Sequence, residues 1–181
     1  PIIKVALALN AQLPEDIRVM EAREVPETFH ARFVARGKQY RYFIFNHPAM
    51  DPLLRRSAWH VPQKLDLAAI REAATYFKGK QDFAAFANNR KYEMETTVRT
   101  VHRCEVKKAG AVITIIIEGD GFLYKMCRGI AGTLVQVGQG KFSASDVKKM
   151  LAEKDREMAG MSAPAQRPER GEPKIKTILT S

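Results

Sequence analysis

Apolar and polar positions alternate along this chain with distinct periods. Residues 2–9 are almost continuously apolar and end at Asn10-Ala11-Gln12-Leu13-Pro14, where the proline predicts a boundary. Residues 17–25 partly alternate and predict a strand. Tyr40–Phe45 is aromatic and β-branched and predicts another. A period of two places Tyr40, Tyr42 and Ile44 on one face of it, and Asn46-His47-Pro48 closes it. A helix is predicted over 66–78: Leu67, Ile70, Ala74 and Phe77 recur at helical spacing, Asp66 is placed to cap the start, and Gly79 is a natural stop. Residues 87–96 are polar and basic and predict an exposed loop. Strands are predicted at 97–106 and 111–118, joined as a hairpin across Lys108-Ala109-Gly110. The unbroken apolar run Val112–Ile117 predicts a central strand covered on both faces. After a turn at Gly119-Asp120-Gly121, the positions Phe122, Met126, Ile130, Leu134 and Val137 mark a helix ending near Gly138. Ser143 with Asp146 forms a capping-box pattern ahead of Val147, Met150 and Leu151. This order of elements predicts an α+β fold, an antiparallel-rich mixed sheet flanked by helices.

Composition supports that picture and adds a partner. The chain has 181 residues, the size of one domain or a large half-domain, and its 45% hydrophobic and 28% charged residues suit a folded protein rather than a disordered one. Thirty Lys and Arg against 20 Asp and Glu give a net charge of +10, which points to a polyanion such as nucleic acid, with an inert basic surface as the equally open alternative. Cys104 and Cys127 have no metal-ligand spacing and lie in apolar stretches, so buried free thiols in a reducing compartment are expected. No apolar run is long enough to span a membrane. The opening Pro1-Ile2-Ile3-Lys4-Val5 has no signal-peptide pattern and starts inside an apolar segment, so the chain reads as a fragment.

Two residues stand out chemically. Tyr40 combines a face that stacks on a base with a polar tip, although a strand tyrosine is more commonly an ordinary core aromatic. Arg128 lies among Met126, Cys127, Ile130 and Ala131, and a buried guanidinium needs a partner, best a carboxylate. The bland alternative is a solvent-facing arginine on an amphipathic helix. Basic residues gather as Arg36, Lys38 and Arg41 around the tyrosine strand, as Arg90 and Lys91 on the predicted loop, and as Arg99 and Arg103 alternating onto one strand face. Together they make a candidate basic groove; any one of them is more commonly a solvated surface charge.

Four stretches, in order, resemble the TruA family of tRNA pseudouridine synthases. They are Leu9–Ile17; Phe29-His30-Ala31-Arg32-Phe33 with Lys38–Tyr42; Asp82–Phe86 with Thr97–Thr100; and Gly121–Leu134. The resemblance covers roughly residues 5–165 and implies one lobe of a pseudouridine synthase-like fold, with residues 166–181 an atypical or disordered tail. It implies isomerisation of uridine in the anticodon stem-loop of tRNA: the base is detached at N1, rotated and rejoined through C5, with no cofactor or metal. It also implies a cytoplasmic enzyme with tRNA as partner, working as a homodimer. By resemblance, Tyr40 packs against the target base and Arg128 pairs with the catalytic aspartate. His30 and Arg32 line the approach. The family carries that aspartate in a Gly-Arg-Thr-Asp segment, which this sequence does not contain. The fragment is therefore expected to be inactive alone, with a non-catalytic RNA-binding module as the alternative, and the region around Arg128 is expected to be destabilised or open to water. The end departs from the family too: Gln166-Arg167-Pro168-Glu169-Arg170-Gly171-Glu172-Pro173-Lys174 stands where the family continues with Gly-Leu and an apolar strand, and two prolines with alternating charge do not make a central strand.

Overall fold

The computed structural model describes residues 2–14, 17–30, 37–88 and 96–165. The predicted loop at 87–96 falls mostly outside these, as do Arg32, Arg36, Arg90, Lys91 and the tail 166–181.

Among the described residues, five strands form one sheet: β1 (Lys38–Phe45), β2 (Trp59–His60), β3 (Gly79–Asp82), β4 (Val98–Ala109) and β5 (Val112–Gly119), in the order β2-β1-β5-β4-β3. Only β1 and β2 pair in parallel; the other pairings are antiparallel. The helices are α1 (Ile2–Gln12), α2 (Leu67–Tyr76), α3 (Met126–Gly138) and α4 (Ala144–Glu153). This is the α+β, antiparallel-rich mixed sheet that the hydrophobic pattern predicts.

The caps form where the sequence placed them. Asp66 Oδ1 accepts from the backbone N–H groups of Ala68 (2.8 Å) and Ala69 (3.1 Å), satisfying donors that the first turn of α2 leaves free. Ser143 and Asp146 complete a capping box: Asp146 Oδ2 accepts from Ser143 N (2.8 Å) and Ser143 Oγ from Asp146 N (3.2 Å). The β4–β5 hairpin turns through Gly110 and Ala111, with Gly110 at φ +56°, where a side chain would be strained.

The core lies between the sheet and helices α2, α3 and α4. Ile113, Ile115 and Ile117 of β5 meet Ile70 and Phe77 from the α2 region and Met126, Ile130 and Leu134 of α3, all essentially buried. Each such side chain contributes about 1.5–3 kcal/mol by leaving water. Strand β5 is central, as its apolar run predicts. Its second face is more polar than expected: Ile116 is buried, but Val112, Thr114 and Glu118 are half-exposed, and its register neighbours are Arg41 and Glu105.

Two expectations are corrected. Residues 17–25 form no strand; Ile17, Met20 and Val25 stay exposed, and without a sheet edge to pair with, an alternating pattern does not become a strand. The stretch is tied to α1 by the Asn10 side chain, bonded to the backbone of Val19 in both directions (2.7 and 2.8 Å). Arg99 and Arg103 do not share a face. The β4–β5 register shifts between Val101 and Arg103, so the inward positions change from Val101 to Cys104 and Val106, and Arg103 turns away from the core.

Candidate active-site cleft

Strand β1 brings Tyr40 and Tyr42 to the edge of the core, and the turn before α3 meets them there. The β1–β5 register sets Tyr40 opposite Ile117. The chain then passes Gly119, turns, and delivers Phe122 edge-on to Tyr40, with ring centroids 5.2 Å apart and planes at 86°. Lys125 adopts the left-handed conformation (φ 60°) immediately before α3, so the helix starts sharply and Arg128 falls in its first turn. The result is a cleft of about 420 Å³ whose lining includes Tyr40, Tyr42, Phe122, Tyr124, Lys125 and Arg128. Tyr40 and Arg128, singled out on separate elements, thus face one hollow.

The cleft is apolar with polar tips. Burial raises the Tyr40 phenol above its usual range, with Cys127 adding to the effect. Burial pushes Tyr42 further, to about 12, although the nearby Arg128 charge pulls it back. Both phenols are therefore neutral donors at physiological pH. The Tyr42 hydroxyl donates to the Pro164 carbonyl. The Cys104 and Cys127 thiols are unpaired, and burial raises both, so neither is a ready nucleophile.

Arg128 donates from Nε to the Ala163 carbonyl (2.8 Å), while its own carbonyl accepts from Ala163 N (2.9 Å). Nη1 and Nη2 have no hydrogen-bond partner among the described residues. A planar guanidinium held at one nitrogen with its outer edge free is arranged to receive a carboxylate or phosphate bidentately. At Arg128 the helix is intact and the side chain is anchored, while the residue stays half-exposed in the cleft. No Asp or Glu lines the cleft among the described residues, and no cluster of three or more His, Cys, Asp or Glu there is arranged to hold a metal.

Of the other sequence candidates, Arg41 also borders the cleft and the rest are scattered. Lys38 begins β1. Arg41 shares the opposite face of β1 with Gln39, to which its Nε donates (2.8 Å), and Gln39 in turn donates to Glu118 (2.8 Å). Arg103 is paired with Glu105 (2.6 Å) on that same side of the sheet. The Arg99 guanidinium folds onto the carbonyls of Thr96 (2.9 Å) and Val98 (2.6 Å). His30 is exposed and does not line the cleft. Tyr42, Tyr124 and Lys125 line it without having been singled out. For Tyr42 the signal was present, since it shares the Tyr40 face at a spacing of two.

A family model described as tRNA pseudouridine synthase matches residues 73–169. The tRNA pseudouridine synthase A of Bacillus licheniformis is 47% identical over 165 residues, covering 91% of this chain and 66% of that protein. Its namesake in Ruminiclostridium cellulolyticum is 44% identical over 164 residues, 90% and 66% respectively, and that of Brevibacillus brevis is 44% identical over 166 residues, 92% and 68%. The chain thus spans about two thirds of the length of these curated relatives. Identity at this level, running through both the strand that carries Tyr40 and the helix that carries Arg128, shows that the chain belongs to the tRNA pseudouridine synthase family.

Proposed function

We propose that this chain supplies the base-holding and carboxylate-orienting part of an active site that isomerises uridine to pseudouridine in the anticodon stem-loop of tRNA. The observation that carries the reading is the convergence of the Tyr40 ring and the Arg128 guanidinium on one cleft. An enzyme acting on a base must take it out of the stack, and an aromatic face replaces part of the lost stacking, worth about 1–3 kcal/mol per base. Tyr40, braced edge-on by Phe122, offers such a face. The free edge of Arg128 holds the catalytic carboxylate ionised and oriented toward the sugar carbon. Lys125, in the lining beside the Tyr124 ring, is the group proposed to meet the phosphate of the extruded nucleotide.

The sequence contains no Gly-Arg-Thr-Asp segment, so on this reading the chain alone is expected to bind tRNA without isomerising it. The basic set Lys38, Arg41, Arg99 and Arg103, with Arg32, Arg36, Arg90, Lys91 and His30, is proposed to follow the stem-loop backbone. Because Arg41, Arg99 and Arg103 are already engaged within the chain, their part is a diffuse field rather than fixed contacts. The same reading makes the working unit a cytoplasmic homodimer without cofactor. No helix among the described residues is long and apolar enough to cross a membrane.

The net charge of +10 would equally serve a second reading, a non-catalytic RNA-binding module. Tritium release from tRNA labelled at C5 of uridine separates the two. Release by a protein that joins this chain to a Gly-Arg-Thr-Asp segment, lost on Arg128→Ala, supports the synthase. Salt-sensitive tRNA binding with no release from either form supports the module.

A further inference from the structure

Residues 159–165 run antiparallel along one stripe of α3, whose positions Gln136, Gly132 and Arg128 recur every four residues. At the far end of the stripe, the Arg156 guanidinium grips the segment from behind: Nη1 donates to the carbonyls of Ala159 (3.4 Å) and Gly160 (3.1 Å), and Nη2 to Ser162 Oγ (3.2 Å). Met161 N then donates to Gln136 Oε1 (2.7 Å). In the middle the segment presses onto Gly132, where an added Cβ would lie 1.8 Å from the Met161 carbonyl oxygen and 2.7 Å from Ala163 N. At the near end Ala163 clasps Arg128 through both its N–H and its carbonyl, the Pro164 carbonyl takes the Tyr42 hydroxyl, and Ala165 reaches the cleft lining.

We propose that this segment is a strap that sets the orientation of Arg128, and that Gly132, Gln136 and Arg156 are positioning residues which touch neither base nor carboxylate but act through it. The logic is geometric. Arg128 has several rotatable bonds and would otherwise sample many directions in a cleft of this size. Fixing Nε on a carbonyl that is itself pinned at three places turns the outer edge of the guanidinium to one side. The close approach at Gly132 makes the device sensitive, since any side chain there lifts the Met161–Ala163 backbone and moves the carbonyl that holds Nε. Misplacement by about 1 Å far from the chemistry lowers turnover by roughly a hundredfold.

The inference rests on the proposed isomerisation only for its kinetic consequence; the geometry is testable without it. Nitrogen–proton correlation spectra of the arginine Nε–H groups, with the Arg128 signal assigned by its loss in Arg128→Lys, are expected to show slow solvent exchange in the unaltered chain and fast exchange in Gly132→Ala. Gln136→Leu, which removes the acceptor of Met161 N without crowding the helix, should give an intermediate rate, and Arg156→Lys should restore part of the protection lost in Arg156→Ala. Unchanged protection of Arg128 in folded Gly132→Ala, or in Gln136→Leu should the first variant fail to fold, would overturn the strap. In the isomerising protein, Gly132→Ala is expected to lower kcat by about a hundredfold with KM for tRNA nearly unchanged. Loss of activity only in proportion to loss of folded protein would also overturn it. Absence of isomerisation in the unaltered protein would instead refute the functional reading, leaving the spectra to decide on the strap.

Discussion

Two hollows lie along the sheet, and the more open one is the less suited to chemistry. Beside β1 and β5, the cleft of about 420 Å³ gathers aromatic rings and an arginine whose outer edge has no partner among the described residues. At the β3 edge, a more open groove of about 570 Å³ is lined by Tyr76, Lys78, Asp82, Lys148 and Lys154. Two of its lysines are already engaged: Lys154 sits 3.1 Å from Asp82, and the Lys148 ammonium lies 4.6 Å from the centre of the Tyr76 ring. Volume and positive charge therefore do not mark the site. What separates the two hollows is whether polar groups are left poised beside apolar walls or are satisfied within the chain.

That contrast is sharpest at Arg128. On the proposed function, Arg128→Ala would leave the catalytic carboxylate without its partner, at a cost of about 3–5 kcal/mol, and should reduce pseudouridine formation by more than about a hundredfold, as measured by tritium release. Tyr40 comes next. Tyr40→Ala should weaken binding of the extruded base by about 1–3 kcal/mol, read as a roughly tenfold or larger rise in Kd for a tRNA stem-loop, while Tyr40→Phe retains most of the stacking.

At the β3 edge the expected effects are on stability. The Thr97 hydroxyl, then the Ala84 N–H and Lys154, hold the Asp82 carboxyl below the usual carboxylate range. A depressed folded-state value means that this stabilisation is present above the unfolded value near 4 and is lost as pH falls through the folded one. Asp82→Ala should cost about 1 kcal/mol at neutral pH and flatten the acid limb of a urea-denaturation profile, with isomerisation unaffected. Smallest of all, Lys148→Ala should remove a surface cation–π contact worth about 0.5 kcal/mol and leave tRNA modification unchanged. A loss of activity from Lys148→Ala as large as that from Tyr40→Ala would break the distinction between the two hollows.

Much of this was legible in the sequence wherever the cause is local. The Asp66 cap, the Ser143–Asp146 capping box and the hairpin around Gly110 depend on residues a few positions apart, and the central place of β5 follows from an unbroken apolar run. What escaped depends on distant neighbours. The register shift after Val101 is decided by how β4 meets β5 beside Gly119, and it separates Arg103 from Arg99 despite their even spacing. Residues 17–25 alternate but have no partner strand among the described residues. Of the site, Tyr40 and Arg128 were identified through the family resemblance, whereas the strap that holds Arg128 involves Ala163 and Pro164, whose side chains carry no chemical signal.

Photocrosslinking tests most directly whether the extruded uridine enters the cleft beside β1 and β5. A tRNA stem-loop carrying a photoreactive thiouridine at the modified position would be irradiated with the protein and the adducts mapped by peptide mass spectrometry. Crosslinks on peptides containing Tyr40 or Phe122–Lys125, lost on Tyr40→Ala, are the predicted result. Crosslinks concentrated on peptides containing Lys78 or Lys148, and indifferent to Tyr40, would contradict the account.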